Sequence, residues 1–209
     1  MTSISKPARC AFLVVAALTL GGCGALSRPA PIKQTYLLDP PPPAVVAKSQ
    51  PTSVRIGNVN VAVPFRGRGI VFRESDLRYE NAYYLEFLVP PATMLAELTS
   101  RALERSKAFA RVVPPGSAAA TDWELDGFVS ALYLDTRDAS KPAAEVAVTY
   151  YLFAAQGGKE MPVWTRDYQR RAPLAGSSEQ AYPAALNAAV GEILSELSRD
   201  LAAAELKRN

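Results

Sequence analysis

Three long segments of strand character, Trp123 to Asp135, Glu145 to Ala155 and Val163 to Arg171, follow one another with only Asp138 to Pro142 and Gly157-Gly158-Lys159 between them. Both interruptions are turn signals, so the segments predict an antiparallel meander with one face left to be covered. The cover comes next in the chain. From Ser177-Ser178-Glu179-Gln180, where Ser177 and Gln180 have capping-box spacing, the apolar period changes to that of a helix. Leu186, Val190, Ile193, Leu194, Leu197 and Leu201 form one stripe along a helix expected to end near Leu206. A sheet and a helix that each carry one apolar face bury those faces against each other, which predicts a two-layer α+β domain.

The upstream half fits the same plan. Val54, Ile56, Val59, Val61 and Val63 are closely spaced and β-branched, Gly57-Asn58 marks a bulge or turn, and Pro64 ends the run. Ile70 to Arg73 and Tyr79 to Leu88 are further strand segments. After Pro90-Pro91 the residues Met94, Leu95, Leu98, Ala102 and Leu103 share one helical face, with proline suited to the first turn, and this helix should end near Lys107 before a short strand at Arg111 to Val113. The expectation is a single domain in which a mixed, mainly antiparallel sheet packs against two helices. No internal repeat is present.

The N-terminus is built differently. Lys6 and Arg9 precede the apolar run Ala11 to Leu20, and Leu20-Gly21-Gly22-Cys23 closes it as a lipobox. This is signal-peptide anatomy, and the run is about half the roughly 20 residues a membrane-spanning helix needs. Small residues admit the backbone to the signal peptidase, and the Cys23 thiol carries the lipid. Residues 1–22 are then a cleaved leader, with Cys10 discarded in it, and Cys23 is acylated. Residues 23–35 form a lipidated tether, and residues 36–209 form the domain, including a proline-rich loop at 40–51. Seven of the 17 prolines fall between Gly24 and Pro51, a composition that favours an extended, semi-rigid spacer. Within it Gln34 to Asp39 reads as a short strand, with Pro40 to Pro43 as the loop leaving it. Several acyl chains give stable anchoring where one is marginal. Gly24 follows the cysteine where an aspartate is the common inner-membrane retention signal, so the expected location is the outer membrane, facing the periplasm.

Composition removes whole classes of function. The net charge is +3 over the full chain, and two of those charges leave with the leader, so nothing resembles a nucleic-acid binder. The chain has no histidine, which removes the commonest general base, the usual hydrolase triads and the common zinc-ligand sets. Gly157-Gly158-Lys159 lacks phosphate-loop spacing, with Glu160 where a hydroxyl is required, and Gly67-Arg68-Gly69 lacks the last glycine of a dinucleotide fingerprint. No catalytic residue, no metal site and no cofactor other than the covalent lipid on Cys23 is expected.

The order of segments carries a resemblance. Tyr36-Leu37-Leu38-Asp39-Pro40, the stretch Val59 to Phe65 leading through Ile70 to Arg73, Trp123-Glu124-Leu125-Asp126-Gly127-Phe128-Val129, and the long helix from Gln180 to Leu206 together resemble the ABC-type transport auxiliary lipoprotein family. That family includes the lipoprotein of the paraquat-inducible system and accompanies MCE-domain lipid transporters. One departure is visible: where the family commonly has a Glu-Trp-like motif before the first helix, this chain has Glu86-Phe87, with Phe87 in the aromatic packing place. The resemblance implies a non-enzymatic accessory subunit that docks on an MCE-domain protein and, through it, on an ABC permease and ATPase. It also suggests association of copies into a ring, a homo-oligomer. The alternative is a stand-alone carrier that shelters acyl chains in its own cavity, and tethering to the cell wall is a third reading.

For contacts with a partner or with lipid headgroups the candidates are Arg66, Arg68 and Arg73, whose guanidinium forks suit phosphate and carboxylate, and the aromatic group Tyr83, Tyr84 and Phe87, with Tyr79 beside it. Tyr150, Tyr151 and Phe153 straddle both faces of their strand. Arg166 and Arg170 fall on one strand face with Arg171 beside them, and alternation predicts a solvent-facing stripe.

Overall fold

The computed structural model describes residues 32–156, 161–176 and 178–206; Cys23 and its lipobox, Gly157-Gly158-Lys159 and Ser177 lie outside them. Eight strands form one mixed sheet: β1 (Gln34–Tyr36), β2 (Gln50–Val61), β3 (Gly69–Arg73), β4 (Tyr79–Phe87), β5 (Phe109–Val113), β6 (Trp123–Asp135), β7 (Ala143–Ala154) and β8 (Trp164–Pro173). Two helices, α1 (Pro91–Ser106) and α2 (Ala181–Ala203), cover one face, giving the expected α+β fold.

Strand β6 is the hub. Along one edge β7 pairs antiparallel over its whole length, and β8 pairs antiparallel beyond β7, which is the expected meander. The other edge is shared end to end. Strand β2 runs parallel to β6 from Trp123 to Val129, and β3 then runs parallel to it at Leu134 and Asp135. Between them the chain leaves the edge through a short 3-10 turn, Val63–Phe65. Outward from β2 lies parallel β5; outward from β3 lie antiparallel β4 and then parallel β1. Ladders of high sequence separation therefore join on one central strand.

Alternation decides which side chains enter the core. On β6, Trp123, Leu125 and Val129 are buried on the helix side, while Glu124, Asp126 and Phe128 face away. On β7 Ala144, Val146, Val148, Tyr150 and Leu152 alternate as buried residues, with Ala143 and Glu145 also buried at the start of the strand. Helix α1 presents Met94, Leu95, Leu98, Ala102 and Leu103 to the core, and α2 presents Leu186, Val190, Ile193, Leu194, Leu197 and Leu201. Proline at the start of α1 costs no hydrogen bond, and Lys107 in a left-handed conformation (φ 60°) returns its N–H to the last turn. The predicted bulge at Gly57-Asn58 is present as a register shift between Ile56 and Val59. A Cβ on Gly57 would overlap the side chains of Glu124 and Asp126 where they now stand, so any larger residue there displaces them.

Several boundaries differ from those read in the sequence. Strand β2 begins at Gln50, not Ser53, with Pro51 accommodated at a register shift against β5. Strand β5 begins two residues before Arg111. Helix α2 spans Ala181–Ala203, with Gln180 as the residue before its first turn and no side-chain cap from it, so Gln180 is not the third residue of a capping box. Its C-terminus is closed from outside the helix: Gln50 Nε2 donates to the carbonyls of Leu201 (2.9 Å), Ala202 (3.2 Å) and Ala204 (2.7 Å).

The segment from Gln34 to Pro51 is part of the domain rather than a free spacer. Leu38 is buried, Asp39 N–H donates to Asn187 Oδ1 at 2.7 Å, and Arg101 pairs with the Asp39 carboxylate at 3.1 Å. Pro40 to Pro43 then lie across both helices, and a Cβ on Gly191 would come within 3.0 Å of Pro40 Cβ. The gap under this strap, lined also by Leu98, Ala102 and Leu194, holds about 30 Å³.

Candidate interaction surface

The arginines and aromatic residues singled out from the sequence separate into two neighbouring groups on the β3–β4 side of the sheet. The first is an aromatic cluster at the end of β6. Phe65 stacks on Tyr133 (centroids 5.6 Å apart), Tyr79 meets both rings edge-on, and the Arg73 guanidinium lies 5.5 Å from the Tyr79 ring centroid. Arg73 also pairs with Asp76 at 3.7 Å. Its charge is thus committed to its own loop.

Beyond this cluster Asp135 gathers arginines. It is 3% exposed and accepts hydrogen bonds from Arg137 Nε (3.0 Å), Arg137 Nη2 (2.9 Å) and Arg171 Nη1 (2.8 Å). Arg137 bridges outward to Asp76 at 2.7 Å, and Arg171 reaches Glu145 at 3.5 Å. The hydrogen bonds from Arg137, helped by Arg171, outweigh burial and hold the Asp135 carboxyl far below the usual carboxylate range. The open cleft over the network has a volume of about 610 Å³ and mixes carboxylates with guanidiniums. Among the described residues no three ligating side chains converge on a metal position.

The second group lies at the β1–β4 edge. Register shifts between Gly69 and Val71, so β4 bulges from Ala82 to Leu85 and displays Tyr83 and Tyr84, whose rings meet edge-on at 4.7 Å. Tyr83 is 74% exposed. Arg68 pairs with Glu86, Lys33 pairs with the same carboxylate at 3.6 Å, and Lys33 Nζ lies 5.7 Å from the Tyr83 ring centroid. The Arg68 hydrogen bond holds the Glu86 carboxyl below its usual range. Arg66 turns back and donates to the Val61 carbonyl at 3.3 Å. Phe87 is not part of this surface: at 2% exposure it is a core residue, because strand alternation points it toward the helices. Sequence reading missed Lys33, Leu37 and Leu88, of which the two leucines are exposed at the end of the β1–β4 ladder.

The predicted arginine stripe on β8 keeps solvent contact, with Arg166 51% and Arg170 33% exposed, and is also paired. Helix α2 crosses β8, and its acids meet the stripe: Arg166 pairs with Asp200 at 3.3 Å, and Arg170 pairs with Glu192 at 3.4 Å and with Glu196. Between them Tyr168 donates to Asp200 at 2.8 Å, and burial together with that carboxylate raises its pKa strongly. Spacing gave a signal for this, since Glu192, Glu196 and Asp200 recur every fourth residue along one helix face. Tyr150 is buried and hydrogen-bonded to Thr99 of α1 at 2.9 Å, with its pKa pushed up to about 12 by burial. Tyr151 and Phe153 are half-buried on the opposite sheet face, as alternation requires.

The model of the ABC-type transport auxiliary lipoprotein component matches residues 36–198, from β1 into α2. The chain belongs to this family. Auxiliary lipoproteins are envelope proteins held at a membrane, and the family is not one of known enzymes. Among solved structures, a DUF330-family protein from Xanthomonas campestris is 20% identical with a TM-score of 0.71, covering 79% of this chain and 92% of its own. An uncharacterised protein is 15% identical with a TM-score of 0.65, covering 82% and 99%. These likenesses show the fold. Comparison with curated proteins returns no match.

Proposed function

We propose that this auxiliary lipoprotein is the non-catalytic accessory subunit of an envelope lipid-transport system, anchored in the outer membrane through acylated Cys23 and facing the periplasm. It docks on an MCE-domain protein and through it serves an ABC permease and ATPase. The observation that carries the reading is the family match across β1 to α2, taken with a lipobox directly upstream of it. The side-chain chemistry supports a binding role. Arg68, Arg73, Arg137, Arg166, Arg170 and Arg171 are paired with carboxylates of the same chain, an arrangement that stabilises a shape rather than a reaction.

Affinity isolation of the tagged protein from native membranes tests the reading. Co-recovery of an MCE-domain protein is expected; repeated recovery of the lipoprotein alone under conditions that preserve the complex refutes it. Native mass spectrometry separates the two classes, since a carrier retains phospholipid stoichiometrically and a scaffold does not.

A further inference from the structure

The β1–β4 edge carries an unusual combination for a water-facing surface. Tyr83 and Tyr84 project from the β4 bulge at 74% and 37% exposure, and Leu37 and Leu88 are 57% and 52% exposed. Leu88 N–H donates to the Tyr36 carbonyl at 2.8 Å, which continues the Thr35–Glu86 and Tyr36–Phe87 register and sets Leu37 beside Leu88. Lys33, beside the Tyr83 ring, and Arg68 both pair with Glu86 on this edge; Asp39 comes shortly after Leu37 in the chain, and Glu179 accepts from Gln34 of β1.

We infer that this edge lies on the lipid headgroups of the membrane to which the chain is anchored, with Tyr83, Tyr84, Leu37 and Leu88 at the polar–apolar boundary and Lys33 and Arg68 over the phosphates. The inference rests on acylation of Cys23. From Gly24 to Lys33 there are ten residues, which reach at most about 35 Å when fully extended. The chain joins the fold at β1, so β1 and its neighbour β4 are the part of the sheet closest along the chain to the anchor, and β5 lies toward the opposite end of β6, beyond β2. The chemistry suits that position. Tyrosine, with an apolar ring and a polar tip, is the residue of membrane–water interfaces, and lysine and arginine extend apolar stems while their charges reach phosphate. Each cation near an anionic leaflet contributes attraction that falls off within a Debye length, so the contact is short-ranged and salt-sensitive. A lipid surface also accounts for the apolar exposure better than a pocket does, because Tyr83 and Tyr84 project from the β4 bulge and Leu37 and Leu88 are exposed at the end of the same ladder, and none of the four lines a cavity described above.

The test uses the mature acylated protein reconstituted in vesicles of phosphatidylethanolamine and phosphatidylglycerol, with an environment-sensitive fluorophore on Tyr83→Cys, Leu37→Cys or, on β5 toward the opposite end of β6, Ala110→Cys. Acylated Cys23 offers no thiol, so each variant has one labelling site. Nitroxide-bearing lipids should quench labels 83 and 37 at least two-fold more than label 110, and the excess should shrink when phosphatidylglycerol is replaced by neutral lipid. Equal quenching at all three positions in vesicle-bound protein overturns the inference and leaves the anchor intact. Shielding of label 83 only after an MCE-domain protein is added overturns it in favour of that partner. Protein that does not float with the vesicles overturns the anchor itself, and the inference with it. Labels 83 and 37 report independently, so misfolding of one variant does not block the result.

Discussion

Replacing Asp135 by asparagine isolates the most heavily engaged carboxylate described in the domain. The change keeps shape and removes charge. It leaves the Arg137 and Arg171 guanidiniums facing an amide where they had three hydrogen bonds of 2.8 to 3.0 Å to a carboxylate whose side chain is 4% exposed. Breaking a fully buried pair costs about 3–5 kcal/mol, and an exposed pair is worth about 0.2–1 kcal/mol. The arginine side chains are 38% and 46% exposed, so water recovers part of the loss and about 2 kcal/mol is expected at pH 7. The pH dependence has a definite sign. Because the folded-state pKa is depressed, the stabilisation is complete above the unfolded value of about 3.9 and is lost as pH falls below it, by about 1 kcal/mol at pH 3. Urea unfolding, which adds no salt, should therefore show a gap between the native protein and the variant that is constant from pH 7 to 5 and narrows by that amount at pH 3. A gap that does not change between pH 7 and 3, or one below about 0.5 kcal/mol at pH 7, would refute the account of the network.

Three further outcomes follow from other sites. Gly57→Ala forces the Asp126 and Glu124 side chains to move and breaks the 2.8 Å bond from Asn58 N–H to Asp126, so urea unfolding should show a loss of about 1–3 kcal/mol. Tyr150→Phe removes a group whose pKa is raised to about 12; the native protein should lose stability as pH rises above the unfolded value near 10, and the variant should lose less between pH 10 and 12 in the same urea assay. Asn187→Ala removes the acceptor of the Asp39 amide, and since Pro40 to Pro43 have no N–H, hydrogen exchange at Asp39 is the local reporter and should accelerate without change at Leu125 or Val148.

Local pattern carried far in this chain because its longest elements are regular. Trp123 to Asp135 alternates without a break up to Val129, and the α2 stripe holds its helical period from Leu186 to Leu201, so both elements and their buried faces were readable. What was not readable depends on partners distant in sequence. Nothing in Ile70 to Arg73 shows that β3 continues along the edge of β6 that β2 has already used, because that pairing spans about sixty residues. Gln50-Pro51 has poor strand propensity and is strand because β5 and the end of α2 take the hydrogen bonds of Gln50. At the candidate surface, Tyr83 and Tyr84 were found by composition, whereas Leu37, Leu88 and Lys33 join them only through the parallel pairing of β1 with β4. Phe87 belonged to the same run of sequence and was separated from it by the pleat alone.

The proline strap has a mechanical consequence. Any pull through the residues before Lys33 loads β1 first, and β1 is only three residues long, so its ladder is the part that yields. The load then arrives at Asp39, held by Arg101 of α1 and Asn187 of α2, and at four consecutive prolines, a composition that favours the extended polyproline conformation. A chain with its φ angles fixed has almost no slack to give, so the strap behaves as a stop rather than a spring. Tension is delivered to both helices at once and shared across the core, and β1 serves as the fuse ahead of it.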